Sequence, residues 1–190
     1  GQAQFGQANY DKLSGVGHEQ AVALGKVLLE HGITITKWVR GDMVRHEETL
    51  NGISKGMGTW VKEKIVTPDL NEYDFTGLLD ARFAGGEAPA GLHTDRKTHF
   101  RLLRETLTQW QNDEIANPPE SWDTFDARLK RAQQTIFGLE GDTILVVSSG
   151  GAISQIISSA LGISHAKQVD LQLQIKNASV STFIYSRRTG

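Results

Sequence analysis

The sequence predicts an α/β layer fold, and two runs of residues carry the prediction. A helical pattern, a short β-branched run and a second helical pattern follow one another between Gly17 and Met57. A further β-branched run, Asp142 to Ser148, passes through Ser149-Gly150-Gly151 straight into another helical pattern. Strands that alternate with helices across short connections belong to folds in which helices cover a sheet. The size fits one core: 190 residues, 38% hydrophobic and 22% charged, describe an ordinary folded domain, so residues 1–190 are expected to form a single one.

In GHEQAVALGKVLLEH, Gly17 to His31, apolar residues recur at helical spacing at Ala21, Leu24, Val27 and Leu28, and Gly32 stands where a helix-ending glycine belongs. ITITKWV, Ile33 to Val39, is short and β-branched, hence a strand. GDMVRHEETLNGISKGM starts a helix, with Asp42 as its cap and Glu47 in its second turn. GGEAPAGLHTD, Gly85 to Asp95, is a glycine-rich loop. Helical patterns cover Thr98 to Gln111 and Ser121 to Phe137; Pro118-Pro119 ends the first before Ser121 or Asp123 caps the second.

DTILVVS is the strongest strand, continuously apolar as a strand covered on both faces would be, and a helix over Ala152 to Leu161 follows it. VDLQLQI, Val169 to Ile175, and SVSTFIYS, Ser179 to Ser186, alternate with period two and read as neighbouring strands at a sheet edge. Exposed edges are commonly covered by a partner, which points to a homodimer.

In open α/β sheets ligands gather beyond the carboxyl ends of the strands. Two such ends are legible. One leads through RGDMVRHEET and places Arg45 in the first part of a helix, where its planar fork suits phosphate oxygens. The other leads into Ser148-Ser149-Gly150-Gly151, where glycine admits close approach and the first helical amides are unpaired donors. An anion could bridge them, although a plain tight connection and a solvated arginine explain the same residues. In PDLNEYDFTG, Pro68 to Gly77, apolar Leu70, Tyr73 and Phe75 alternate with Asn71, Glu72 and Asp74. A carboxyl pinned there, Glu72 or Asp74, suits proton donation to a leaving oxygen; an Asx-rich loop is the structural alternative. His46, one residue after Arg45, points about 100° away on the helix and reads as structural or solvated.

Other chemistries drop out. Twenty basic against 22 acidic residues, a net charge of -2, offer no basic face for nucleic acid. Without cysteine there are no disulfides, thiolate chemistry or Cys-built zinc sites. The six histidines show neither i,i+4 pairing nor His-Glu-x-x-His, so no metal site is expected. GVGHEQA lacks the third glycine of a dinucleotide fingerprint, and SSGGA is no Gly-x-Ser-x-Gly elbow. No cofactor is therefore expected. No apolar run approaches the roughly 20 residues that span a bilayer, and no signal peptide is visible, so the expectation is a cytoplasmic protein without a membrane partner.

These stretches, in this order, resemble the histidine phosphatase superfamily, the fold shared by phosphoglycerate-mutase-like phosphatases. YDKLSGVGHEQAVALGKVL resembles its first helix region, and RGDMVRHEET its arginine-bearing turn, with Arg45 matching the second phosphate-binding arginine and Thr49 the threonine after it. Glu72 stands where the family keeps its proton-donor glutamate. VVSSGGAI resembles the strand and turn of the second active-site histidine, with Ser149 in that histidine's place, and QLQIKNASVSTFIY, with Asn177 and Ser179, resembles the closing strands.

The resemblance implies a three-layer α/β/α sandwich with a mostly parallel central sheet, and a phosphomonoester hydrolase acting through a phosphohistidine. It implies Arg45, Glu72 and Ser149 as catalytic residues. Gln2, Arg45, Ser149, Gly150 and Gly151 would hold inorganic phosphate or a small phosphorylated substrate. The insertion around residues 80–125 would form a lid over the active site, its basic stretch HTDRKTHFRLLR either attracting substrate or lying on a solvated helix face. Two departures matter. The family opens with a strand ending in Arg-His-Gly, whose histidine attacks phosphorus; here Gly1-Gln2-Ala3 resemble the residues after that pair, so the histidine is expected upstream. Ser149, moreover, offers a hydrogen bond but no imidazolium charge. Two alternatives therefore stay open: a weakened phosphate-binding or protein-interaction domain on the same scaffold, and a mutase-like phosphoryl transfer enzyme.

Overall fold

Ser14 starts the first helix by accepting the Gly17 amide on its hydroxyl, and Gly32, at φ +68°, ends it in the left-handed conformation that glycine adopts at no steric cost. Between them runs α1, Gly15–Glu30. The computed structural model describes residues 11–84, 86 and 95–186. It falls into two compact units: Gly1–Asn71, Arg131–Ser149 and Lys176–Gly190 form the first, Glu72–Lys130 and Gly150–Ile175 the second.

In the first unit, β1 (Lys37–Arg40) pairs in parallel with β2 (Ile65–Val66) and with β3 (Ile144–Val147), giving the strand order β2-β1-β3. Helix α2, Val44–Gly56, follows β1 and lies unusually close to α1 because small residues meet there. A Cβ added at Gly25 or Gly56 would sit 2.1 Å from the backbone oxygen of Ile53 or Val22, and one at Gly52 2.5 Å from the Ala21 methyl. Trp38, Leu50, Ile53 and Val147 are buried in this unit, with Leu24, Leu28 and Ile35 packed against them.

The second unit is helical: α3 (Phe75–Arg82), α4 (Arg96–Gln111), α5 (Trp122–Phe137, counted here as far as Lys130), α6 (Gly150–Leu161) and α7 (His165–Gln172). Asp74 caps α3 through the Gly77 amide, and Ser121 caps α5 through that of Thr124. Tyr73, Trp110, Trp122 and Phe125 stack into one aromatic core, with Trp110 5.1 Å from both Tyr73 and Trp122. From Arg96 onward the basic stretch forms the first turns of α4, whose apolar face buries Leu102, Leu107 and Trp110, while Arg104 pairs with Asp170 of α7.

The α/β class and the parallel sheet are those expected; several local expectations are not met. Asp42 does not cap α2. The cap position is Met43, without a side-chain bond, and the Asp42 carboxylate and amide pair with Asn71 instead. The first strand begins at Lys37 rather than Ile33, because its ladder starts where β3 does, in the register Lys37↔Ile144 to Arg40↔Val147. Among the described residues strand β3 is covered only in part. Only Val147 is buried, Ile144 to Val146 being half-buried, and among the described residues β3 pairs with β1 alone.

Among the described residues the two closing strands do not form. Val169 belongs to α7, where Gln168 and Val169 turn inward together and Leu173 packs on the core, so a helical face was hidden beneath an alternating sequence. Residues 179–186 run without a ladder, and Val180, Phe183, Ile184 and Tyr185 stay largely exposed. Period two makes a strand only where a neighbouring backbone meets its donors and acceptors.

Candidate active site

The first unit gathers Arg45 and Ser149, the two residues singled out at its strand ends. Ser149 lies just past β3 and Arg45 in the first turn of α2. Arg45 Nε and Nη2 both donate to Ser149 Oγ, at 3.3 and 3.2 Å. The arginine is held from the other side by Asp11, whose Oδ1 accepts Arg45 Nη1 at 3.1 Å. The same carboxylate accepts the amides of Val44 at 2.9 Å and Arg45 at 3.3 Å, so α2 is capped by a residue 33 positions away. Nothing local in the sequence marks Asp11 for this task. Thr49 bonds back to the Arg45 carbonyl at 2.7 Å, which ties the turn that carries the guanidinium.

His46 is the largest departure from the sequence reading. It is 2% exposed, and its Nε2 lies 2.7 Å from Ser149 Oγ. The angle of about 100° between neighbours is measured around the helix axis. Side chains of the first turn also lean toward the N-terminus, so two neighbours can converge on a group placed beyond the helix end. Burial, and then the Arg45 charge, push His46 down to about 4, so it is neutral near pH 7. Its Nδ1 is buried without a hydrogen-bond partner. Gly41 makes the room, since a Cβ there would lie 2.3 Å from that nitrogen.

The second unit holds Glu72, Gly150 and Gly151. The Gly151 amide donates to Glu72 Oε2 at 2.8 Å, and the Tyr73 amide to Oε1 at 3.3 Å. This amide at the start of α6 is thus already spent on a carboxylate of the chain. Asp74, the other acidic candidate of the segment, is a helix cap. Behind Gly151 runs a buried polar chain: Ser154 donates to the Gly151 carbonyl at 2.8 Å, Gln168 to Ser154 at 2.7 Å, and Gln111 to Gln168 at 2.8 Å. Gln172, on the same face of α7, donates to the Tyr73 hydroxyl.

Gln2 lies outside the described residues, as does His93. A cavity of about 570 Å³ in the second unit, lined among others by Arg82, Phe83, Gln109 and Glu114, contains none of the candidate residues. Among the described residues no three His, Asp or Glu side chains gather as metal ligands, and no helix is long and apolar enough to cross a membrane.

The family model described as histidine phosphatase superfamily (branch 1) matches residues 2–190. Among curated proteins no sequence matches the chain. Among solved structures, mycobacterial glucosyl-3-phosphoglycerate phosphatase in complex with inorganic phosphate is similar at 22% identity and TM-score 0.61, over 90% of this chain and 79% of that one. The alpha-ribazole phosphatase of Shigella flexneri is similar at 19% identity and TM-score 0.55, over 85% and 78%. A phosphoglycerate mutase of Bacillus anthracis reaches 22% identity and TM-score 0.53, over 78% and 68%. At these identities the likeness is one of fold.

Proposed function

The chain belongs to the histidine phosphatase superfamily, and from that premise we propose that it is a phosphomonoester hydrolase. The observation that carries the reading is the Arg45 guanidinium, with a side chain only 12% exposed, aimed with two N–H groups at Ser149 beyond the end of β3. Its α2 amides already hold one anion, the Asp11 carboxylate. A planar fork beside helix-start amides suits the oxygens of a phosphoryl group.

In this reading a histidine preceding Gly1 attacks phosphorus, and the bond from phosphorus to the ester oxygen breaks. Glu72, in its protonated form, gives its proton to the leaving alkoxide. Water then attacks the phosphohistidine, yields its proton to the Glu72 carboxylate, and inorganic phosphate leaves with the histidine restored. Arg45 and Ser149 hold the phosphoryl oxygens through both steps.

A panel of phosphomonoesters assayed with the natural full-length product, with and without Arg45→Ala, tests the reading. Turnover that falls by about 10² or more in the variant is expected; turnover unchanged by the substitution rejects it. Ser149 favours a second reading, a domain that binds phosphate without turning over, because a serine brings no imidazolium to the transition state. Calorimetric binding of inorganic phosphate with no hydrolysis of any panel member would select that reading.

A further inference from the structure

We propose that His46 is a positioning residue of the phosphate site: its Nε2–H fixes the Ser149 hydroxyl so that the one hydroxyl hydrogen remains for a phosphoryl oxygen. The proposal rests on the phosphate-site reading of Arg45 and Ser149 and adds to it a residue and the place of a proton.

The argument is a count of donors and lone pairs. Arg45 can only donate, and its Nε and Nη2 converge on Ser149 Oγ at 3.3 and 3.2 Å, where they share one lone pair. His46 Nε2 meets the same oxygen at 2.7 Å, and its role depends on its tautomer. If Ser149 donated to Nε2, the imidazole hydrogen would sit on Nδ1, which is buried and has no acceptor. Water does not relieve it, because the ring presses on Gly41 so closely that a Cβ there would lie 2.3 Å from Nδ1. A buried N–H without an acceptor is rarer and costlier than an acceptor without a donor. An imidazolium would leave the same orphan and add a charge beside Arg45 and Arg40. The neutral ring with hydrogen on Nε2 is what remains, and its depressed pKa agrees.

Ser149 Oγ then accepts from Arg45 with one lone pair and from His46 with the other. Its own hydrogen is the only one of its hydrogen-bonding positions left, and a hydroxyl offers a single such donor. The resemblance places an imidazole at position 149; here the imidazole stands one side chain further back and acts through a hydroxyl. Because that donor is neutral and already oriented, its contribution does not depend on a proton gained or lost near neutral pH. Gly41 is the sequence trace of the arrangement, since any side chain there would displace the ring.

Nuclear magnetic resonance of the protein labelled with 15N-histidine reads the tautomer directly. Neutral His46 with hydrogen on Nε2 is expected from about pH 6 to 8, with Nε2 shifting as inorganic phosphate is titrated in. His46→Gln keeps an N–H donor at a similar reach and is expected to bind inorganic phosphate within about threefold of the wild type, whereas His46→Leu weakens binding about tenfold. Hydrogen on Nδ1 in the free protein overturns the proposal, as does a folded His46→Leu protein that binds phosphate as tightly as the wild type. Should the leucine variant not fold, the tautomer alone decides. Phosphate binding with the Nε2–H form but no hydrolysis rejects the hydrolase and leaves this proposal standing. Hydrolysis with an Nδ1–H form does the reverse, and a wild type that binds no phosphate removes both.

Discussion

A single methyl group placed on Gly151 tests how Glu72 is held. In Gly151→Ala the new Cβ would lie 2.2 Å from Glu72 Oε1 and 2.4 Å from Tyr73 Cε1, where non-bonded carbons prefer about 3.5–4.0 Å. Tyr73 has no retreat, being buried with its ring 5.1 Å from Trp110 and 5.6 Å from Phe125. The carboxylate must therefore move, and with it goes the 2.8 Å bond from the Gly151 amide. Overpacking costs about 1–3 kcal/mol. A hydrogen bond to a charged group is worth about 1.5–3 kcal/mol, reduced here because the half-buried carboxylate finds water on moving. Alanine returns about 1 kcal/mol through its helix preference. The expected net loss is about 1–3 kcal/mol in urea unfolding. Turnover should fall about 10²-fold with the proposed proton donor displaced, while affinity for inorganic phosphate stays within a few-fold. Unchanged stability together with unchanged turnover would refute the placement of Glu72 and its assigned role.

Three further outcomes follow from the same packing. His46 falls from 6.5 to about 4 on folding, so between those values the unfolded chain binds more protons than the native one; its contribution is complete above about pH 6.5 and is lost as pH falls toward 4, up to about 3 kcal/mol. Urea midpoints against pH should show this slope flattened in His46→Gln, and parallel curves would contradict it. Gly56→Ala, whose Cβ meets the Val22 backbone oxygen at 2.1 Å, should lose about 2 kcal/mol, whereas Gly15→Ala, with nothing within 4 Å, should lose nothing; equal thermal shifts would rule out the close α1–α2 packing. Gln168→Leu strands the Gln111 and Ser154 partners of a side chain 2% exposed, at about 2–4 kcal/mol, and an unmoved denaturation midpoint would show the buried polar chain to be wrongly drawn.

Helices were more legible than strands, for a physical reason. A helix satisfies its backbone within itself, so apolar spacing together with Gly32 and Ser121 reports most of what decides α1 and α5, whereas α4 ends at Gln111, before Pro118-Pro119 are reached. A strand exists only with a neighbour. Residues 33–36 are all β-branched, more so than the strand itself, yet the ladder begins at Lys37 because its partner begins at Ile144. The segment from Val169 to Ile175 shows the opposite failure. Its alternation reads as a strand, but Gln168 and Gln172, one helical turn apart, both find partners in the second unit, and those bonds are invisible in the sequence.

The site was legible where a residue's own chemistry limits its use and illegible where a distant partner decides it. Arg45 near a strand end already speaks for an anion. Asp11 becomes a cap only through contact across 33 residues, and no spacing rule reaches that far. The glycines after β3 are the instructive case. Gly150-Gly151 announces that something comes close to the start of α6, and something does: a Cβ at Gly151 would collide with the Glu72 carboxylate. Phosphate was the expected visitor at those amides, yet the Gly151 amide holds a carboxylate of the same chain. Glycine reports how closely a group approaches, not which group it is. A glycine-rich helix start therefore locates a carboxyl group of the same chain as readily as a phosphate, and here it fixes Glu72, the residue proposed as proton donor.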